Sequence, residues 1–157
     1  TNNNAFAAIV SSAISGQWIM LPSVMQKIVQ YDNKYYCLGL DSHIWYLTAP
    51  NGTWVQTMSS GLFKDITIDE NGVLIMLGMD NYLYSSDTGL FTTGQQYTKV
   101  KSEPDNFQWK SMSISKGSIY AIDTTGQPWY NSSYKSGNWV KVSGGGEFFP
   151  SHRMTSV

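Results

Sequence analysis

Three short polar stretches of the chain carry the residue types best suited to bind a polar ligand. Each contains an aspartate and separates two segments with strand-like patterns: Asp41-Ser42-His43, Asp80-Asn81-Tyr82 and Asp123-Thr124-Thr125. Carboxylates and amides make directional hydrogen bonds, and nearby aromatic rings offer flat apolar surfaces. A sugar needs both kinds of contact. The candidate ligand-binding residues are therefore Asp41, His43, Trp45, Asp80, Asn81, Tyr82, Asp123 and Trp129.

The same aspartates have a second interpretation. Asp and Asn side chains commonly stabilise turns by hydrogen-bonding to their own backbone. Repetition along the chain does not separate the two interpretations, because turns repeat as well. Both stay open at the level of sequence.

Catalytic and metal-binding patterns are weak. Two histidines and one cysteine do not make a metal-ligand cluster, and Cys37 lies in an apolar run typical of a buried structural thiol. The chain has neither a Gly-x-Ser-x-Gly elbow nor a phosphate-binding glycine loop. We predict no enzyme activity, no cofactor and no metal. A Ser–His–Asp arrangement, which is recognised only in space, stays an open alternative.

The composition restricts the class of protein and of partner. Charged residues make up 13% of the 157 residues and aromatic residues 14%, with 14 glycines, which is typical of a β-rich domain with many tight turns. The net charge is −1 and Arg153 is the single arginine, so we expect no nucleic-acid partner. No apolar run approaches the roughly 20 residues that cross a bilayer, and we expect no membrane insertion.

The candidate residues lie within a repeat of roughly forty residues, the period of propeller blades. Each unit starts with a strand led by Trp18, Trp54, Tyr97 or Trp139. A loop, an alternating strand, an apolar strand and a second aromatic strand follow. The predicted leading aromatic strands are 17–21, 53–57, 96–100 and 138–142, and the alternating strands are 27–32, 64–69, 110–115 and 152–157. The predicted apolar strands are 35–41, 74–80 and 118–123, and the second aromatic strands are 44–47, 82–84 and 129–130.

This repeat predicts an all-β fold, a β-propeller of four-stranded antiparallel blades in which 1–157 form a single domain. The apolar third strands are expected to be buried on both faces, between packed blades. Residues 3–7 lie where a third strand of a unit would be, so the N- and C-terminal strands are predicted to close one split blade beside three whole blades. Two alternatives stay open: a fragment of a longer propeller, or a ring shared by two copies.

The repeat resembles that of the tectonin and tachylectin β-propeller family. The resemblance covers about 17–157 and rests on the following residues: Trp18, Trp54, Trp139, the glycine loop 143–146, Ile66-Thr67-Ile68, Ile119-Tyr120 and Ile44-Trp45. Tyr97 departs from the pattern, since the other units have tryptophan there. The resemblance implies metal-independent carbohydrate recognition at sites repeated around one face. Similar propellers are domains of phage receptor-binding proteins, which bind cell-surface glycans.

Together these observations predict a non-catalytic, lectin-like module that binds a glycan or glycoconjugate, outside the cell or on a virion surface. The alternative is a structural or protein-interaction propeller that forms part of a larger assembly, including a homo-oligomer. A third hypothesis, a hydrolase that uses the central channel, has no motif in its support.

Overall fold

The structure, a computed structural model, describes residues 4–8, 18–47, 52–57, 61–86, 97–101, 107–133 and 137–142. All the regular elements in these ranges are β-strands. In chain order they are β1 Asn4–Ala8, β2 Trp18–Tyr31, β3 Lys34–Gly39, β4 Ile44–Leu47, β5 Val55–Gln56, β6 Phe63–Ile68, β7 Leu74–Gly78, β8 Leu83–Ser86, β9 Tyr97–Lys99, β10 Trp109–Ser115, β11 Ser118–Asp123, β12 Pro128–Asn131 and β13 Val140–Lys141.

The strands form three antiparallel sheets in which neighbours in the chain pair with each other. Blade one consists of β2–β5, with β1 added beside β2; blade two consists of β6–β9 and blade three of β10–β13. The last strand of every blade lies at or directly after a leading aromatic residue: Trp54, Tyr97 or Trp139. The predicted four-stranded antiparallel blades are confirmed.

Adjacent blades pack through apolar side chains. Between blades one and two, Tyr36 and Leu38 share a core with Phe63 and Met76; a second core joins blades two and three. Because β7 lies between two blades, all five of its residues are buried. The prediction that this apolar run is buried on both faces is therefore confirmed for blade two.

The same prediction is wrong for the third strand of the last unit. In β11, Ile119 and Ala121 face blade two and are buried, whereas Tyr120 and Ile122 are 48% and 39% exposed. The physical reason is that only one face of blade three meets another blade within the described part of the chain. The continuous apolar run of the sequence becomes an alternating pattern of burial.

The start of the chain corrects two further expectations. No loop separates 17–21 from 27–32, because β2 runs unbroken from Trp18 to Tyr31 and pairs first with β1 and then with β3. The β1 register shifts between Asn4 and Phe6, opposite Pro22, and such an irregular position tolerates proline. In addition, β1 pairs with an aromatic-led stretch. In the predicted unit that place belongs to the fourth strand, and not to the third strand that we expected at 3–7. The C-terminal strand 152–157 lies outside the described residues, so the split blade stays a prediction.

Candidate functional site

The three candidate aspartates lie in equivalent connections, β3–β4, β7–β8 and β11–β12. Each connection has one residue with positive φ at the same place: Ser42 (64°), Asn81 (70°) and Gly126 (94°). The residues with positive φ favour tight turns. The carbonyls of Ser42 and Asn81 accept hydrogen bonds from the backbone of Phe63 (2.8 Å) and Trp109 (2.7 Å). These turns are thus bound to the first residue of the next blade.

In blade one, the turn carboxylate connects the backbone to an aromatic ring. Asp41 Oδ1 accepts a hydrogen bond from the backbone N–H of His43 at 3.0 Å and from Trp45 Nε1 at 3.3 Å. The Asp41 side chain is 46% exposed. The imidazole Nδ1 of His43 lies 3.5 Å from Asp41 Oδ2, without the alignment of a hydrogen bond to any described residue. The three residues predicted for this blade, Asp41, His43 and Trp45, therefore come together.

Blade two repeats the arrangement with a tyrosine. Asp80 accepts from the backbone N–H of Tyr82 at 3.1 Å, and the Tyr84 hydroxyl donates to Asp80 Oδ2 at 2.6 Å. Burial, followed by this bond and the charge of Asp80, raises the pKa of the Tyr84 hydroxyl. The other two residues predicted for this blade, Asn81 and Tyr82, already contact lysine side chains of the protein. Lys64 Nζ donates to Asn81 Oδ1, and Lys99 Nζ lies 3.3 Å above the centre of the Tyr82 ring.

Asp123 is not the equivalent of the other two aspartates. By strand register it occupies the position of Gly39 and Gly78, because Met25, Phe63 and Trp109 pair with these three residues. A side chain built on either glycine would meet the carboxylate of Asp41 or Asp80. A carboxylate thus reaches the same place in all three blades, but it comes from a different position of the turn in blade three.

The Asp123 carboxylate is saturated. Its Oδ1 accepts from the backbone N–H groups of Thr125 and Gln127 (both 2.9 Å) and from the Thr125 hydroxyl (2.6 Å), and its Oδ2 accepts from Trp129 Nε1 (2.8 Å). Burial alone would raise the pKa of Asp123, but these hydrogen bonds outweigh burial and lower it to about 2. Asp123 is 7% exposed and acts as a turn-stabilising group.

Blade one contains an open cleft of about 410 Å³. Trp45, Trp54 and Asp41 line it, together with Val24, Met25 and Leu40. Its size lies within the range of about 300–1,000 Å³ typical of small-molecule sites. The cleft combines two indole rings, one exposed carboxylate and an apolar lining.

The cleft exists because blade one lacks one aromatic ring. Phe63 in blade two and Trp109 in blade three begin the inner strands, and the register places Met25 at the same position in blade one. In blade two, the Phe63 ring centroid lies 6.0 Å from that of Tyr84 and 5.5 Å from that of Tyr97. Aromatic side chains therefore fill in blade two the space that stays open in blade one.

Blade three fills the equivalent space with a larger cluster. The Trp109 and Trp139 ring centroids are 4.2 Å apart, and the ring centroids of Phe107 and Trp129 are 4.5 Å apart. By register, Trp45 of blade one corresponds to Tyr84 of blade two and to Trp129 of blade three. Each of them pairs with the equivalent residue of the preceding strand in its own blade. Blade one is thus the exception among the three.

Trp54 contributes an unused hydrogen-bond donor. Its Nε1 is buried and has no hydrogen-bond partner among the described residues, while its ring packs near Leu47 and lines the cleft. A buried N–H without an acceptor costs about 1–3 kcal/mol. Because this N–H is shielded from solvent, Trp54 offers its ring and not its donor to the cleft.

Sequence reasoning missed Met25, Gly39 and Trp54 as parts of this site. A signal was present in the repeat, because aligning the residues before the inner strands places Met25 beside Phe63 and Trp109. The departure from the repeat, and not the repeated aspartates, indicates the cleft.

Other kinds of site find no support in the described ranges. No group of three or more His, Cys, Asp or Glu residues there could bind a metal ion. The part of the chain that the structure describes also contains no helix long and apolar enough to span a membrane. Cys37 is buried, and burial raises the pKa of its thiol to about 12, so the thiol stays protonated.

No protein-family model matches the chain, and no curated protein matches it.

Solved structures identify the fold as a β-propeller. The chain is similar to the GH74 enzyme of Niastella koreensis (TM-score 0.60, 18% identity, 81% of this chain and 20% of that chain). It is also similar to YCF48 bound to D1 peptide (TM-score 0.56, 13% identity, 82% and 45%) and to the N-terminal domain of Nup159 (TM-score 0.54, 11% identity, 80% and 31%). The chain spans less than half the length of each. At these identities the similarity concerns the fold alone.

Proposed function

We propose that this chain is a non-catalytic carbohydrate-binding module that binds a glycan or glycoconjugate in the cleft of blade one. The single observation that carries the proposal is the open cleft between Trp45 and Trp54 beside the exposed carboxylate of Asp41. The indole rings can pack on the C–H face of a sugar ring, as aromatic side chains do with apolar surfaces. Asp41 can accept hydrogen bonds from its hydroxyl groups.

The proposal differs from the expected repeated sites in one respect: it assigns one principal site. In blade two the ring of Phe63 fills the space, and Lys99 covers one face of the Tyr82 ring. In blade three four hydrogen bonds saturate Asp123. The carboxylate thus lies beside a filled aromatic cluster in blade two and is itself saturated in blade three.

One feature of the sequence and one feature of the site support this class of function. The resemblance to tectonin and tachylectin propellers implies sugar recognition without metal or catalysis. A site made of aromatic rings and one carboxylate also needs no metal to bind a neutral sugar. A glycan-binding role would place the protein outside the cell or on a virion surface, and that location is part of the proposal.

The test compares two matched substitutions. Asp41→Asn and Asp80→Asn alter equivalent carboxylates, each hydrogen-bonded to its own turn and to one aromatic side chain. A glycan array followed by calorimetric titration should find a sugar that binds the wild type. We expect Asp41→Asn to weaken that binding about tenfold, which corresponds to about 1.4 kcal/mol, and Asp80→Asn to leave it unchanged. An array without saturable binding, or equal effects of both variants, would contradict the proposal.

A second candidate function, a subunit of a larger assembly, is favoured by a separate observation. One face of blade three presents Tyr120, Ile122 and Val140 to solvent within the described part of the protein. Contiguous exposed apolar surface commonly marks a protein–protein contact. The two functions are compatible, because the cleft lies in blade one.

A further inference from the structure

The cleft of blade one presents aromatic faces and a carboxylate, but neither of its indole donors is free for a ligand. Trp45 Nε1 donates to Asp41 Oδ1 at 3.3 Å, and Trp54 Nε1 is shielded from solvent. Among the described residues that line the cleft, Asp41 carries the only charge, and its side chain is 46% exposed. A ligand in the cleft therefore meets two indole rings beside one negative charge.

A protonated amine complements this combination of groups. An ammonium group donates three hydrogen bonds and accepts none, and its bond to a carboxylate is charge-assisted. The face of an indole ring attracts a cation more strongly than other aromatic rings do. A hydroxyl group gains neither of the two charge-dependent contacts, and a carboxylate on the ligand would be repelled.

Blade two makes such contacts with ammonium groups of its own chain. Lys99 Nζ lies 3.3 Å above the centre of the Tyr82 ring, and Lys64 Nζ donates to Asn81 Oδ1. Tyr82 and Asn81 belong to the turn that contains Asp80, and Tyr82 donates its backbone N–H to that carboxylate. Two lysine side chains thus accompany the aspartate turn of blade two.

The lysine above the tyrosine ring is replaced in blade one. In blade two, Lys99 pairs with Tyr84 between the last two strands. At the same place in blade one, Gln56 pairs with Trp45, and in blade three the residue is Lys141. Blade one therefore has a neutral amide where the other two blades have an ammonium group.

The second lysine is replaced as well. Each inner strand has one extra residue where its register shifts, and the three residues are Gln26, Lys64 and Lys110. The neighbouring Lys27 does not compensate, because its Nζ lies 2.7 Å from Asp65 Oδ1 of blade two. Blade one thus retains the carboxylate of the repeat without the two lysines that accompany it in blade two.

We propose that the ligand of the cleft is an amino sugar with a free, protonated amino group. Its ammonium lies against the rings of Trp45 and Trp54 and donates to the carboxylate of Asp41, in place of the lysines of blade two. This inference rests on the proposed carbohydrate-binding function and names the class of sugar. An N-acetylated sugar lacks the required charge, and a sugar acid carries the opposite one.

The first experiment titrates four sugars of one stereochemical series into the wild type by calorimetry: glucosamine, N-acetylglucosamine, glucose and glucuronic acid. The galacto series is measured in the same way, so that each comparison is made at fixed stereochemistry. We expect the free amino sugar of one series to bind about tenfold more tightly than its N-acetylated and neutral counterparts. Raising the salt to about 1 M should remove this preference, because salt screens exposed charges.

The second experiment compares matched variants. Asp41→Asn should bind the free and the N-acetylated amino sugar equally well, since an amide still accepts the hydrogen bonds of the turn but carries no charge. Asp80→Asn should keep the preference. Gln56→Lys restores the lysine of the other blades and should remove the preference, whereas Gln30→Lys adds the same charge at an exposed position near the β2–β3 hairpin and should keep it.

The outcomes separate this inference from the function on which it rests. Equal binding of the free and the N-acetylated sugars by the wild type, or a preference that persists in Asp41→Asn, would overturn the amino-sugar assignment and leave the carbohydrate-binding function intact. Absence of binding by every sugar would refute that function. Cyclohexylamine, a ring with an amine and no hydroxyl groups, is the remaining probe: binding as tight as that of the amino sugar would refute sugar recognition and retain the ammonium site.

Discussion

Replacing Met25 with phenylalanine should close the cleft and stabilise the protein at the same time. Phe63 occupies the same position in blade two, with ring centroids 6.0 and 5.5 Å from those of Tyr84 and Tyr97. In Met25→Phe, the new ring would be expected to meet Trp45 and Trp54 in the same way. The opposite signs of the two effects, a gain in stability and a loss of binding, make this substitution informative.

The size of the gain follows from the aromatic contacts. Each aromatic pair adds about 0.5–1.5 kcal/mol beyond the area that it buries. Two pairs that form imperfectly therefore give a gain of about 1–2 kcal/mol. For a domain of this size, about 1 kcal/mol corresponds to roughly 2–4 °C in the melting temperature. We expect Met25→Phe to melt roughly 3–6 °C above the wild type and to bind sugar at least about tenfold more weakly.

The matched control is Met76→Phe. Met76 is fully buried in the core between blades one and two, and enlarging a filled core typically costs about 1–3 kcal/mol. Scanning calorimetry should therefore show opposite shifts for the two Met→Phe variants. Destabilisation by Met25→Phe would mean that the cleft cannot accept a ring, and unchanged sugar affinity in a stabilised variant would place the sugar elsewhere.

Two further predictions concern the turn carboxylates. In Gly39→Ala the new Cβ falls on the Asp41 carboxylate and 3.0 Å from Trp45 Nε1, so loss of that hydrogen bond should lower the free energy of unfolding by about 1 kcal/mol and weaken sugar binding measured by calorimetry. Gly78→Ala should cost similar stability without changing affinity, and an equal loss of affinity in both would contradict the assignment to blade one. Since the pKa of Asp123 is lowered from 3.8 to about 2, its stabilisation of about 2 kcal/mol should be complete above about pH 4 and disappear as the pH falls towards 2. In denaturant titrations, the free energy of unfolding should depend less on pH in Asp123→Asn than in the wild type. Parallel pH curves for the two proteins would refute this.

The blade architecture was predictable because local pattern and tertiary position agree in it. The alternating run Phe63–Ile68 becomes β6, and the apolar run Leu74–Gly78 becomes the fully buried β7. Period-2 alternation and turn residues with positive φ are properties of short segments, so they can be read without knowing the neighbours. The order and antiparallel pairing of the strands within a blade then follow from their short connections.

Properties that depend on neighbouring blades were not predictable. The runs Leu74–Gly78 and Ser118–Asp123 have similar apolar patterns, yet only the first is buried on both faces. Burial depends on whether another blade packs there, and that information is not in the strand itself. Likewise, β2 continues through Pro22 because β1 pairs with its first half, a long-range contact that the local sequence around Pro22 does not indicate.

The candidate site illustrates how a repeat protein gains a specific function. All three blades place a carboxylate at the same point and tie it to an indole or phenol donor, so this arrangement is part of the scaffold and cannot by itself indicate ligand binding. What differs is the residue at the start of the inner strand. With Phe63 or Trp109 there, the aromatic cluster is complete within the blade; with Met25 it is incomplete, and two indole rings line a cleft. A single departure from the repeat thereby opens a space for a ring that the chain itself does not supply. In a propeller with this design, the search for a ligand site should begin at the positions where one blade breaks the pattern of the others.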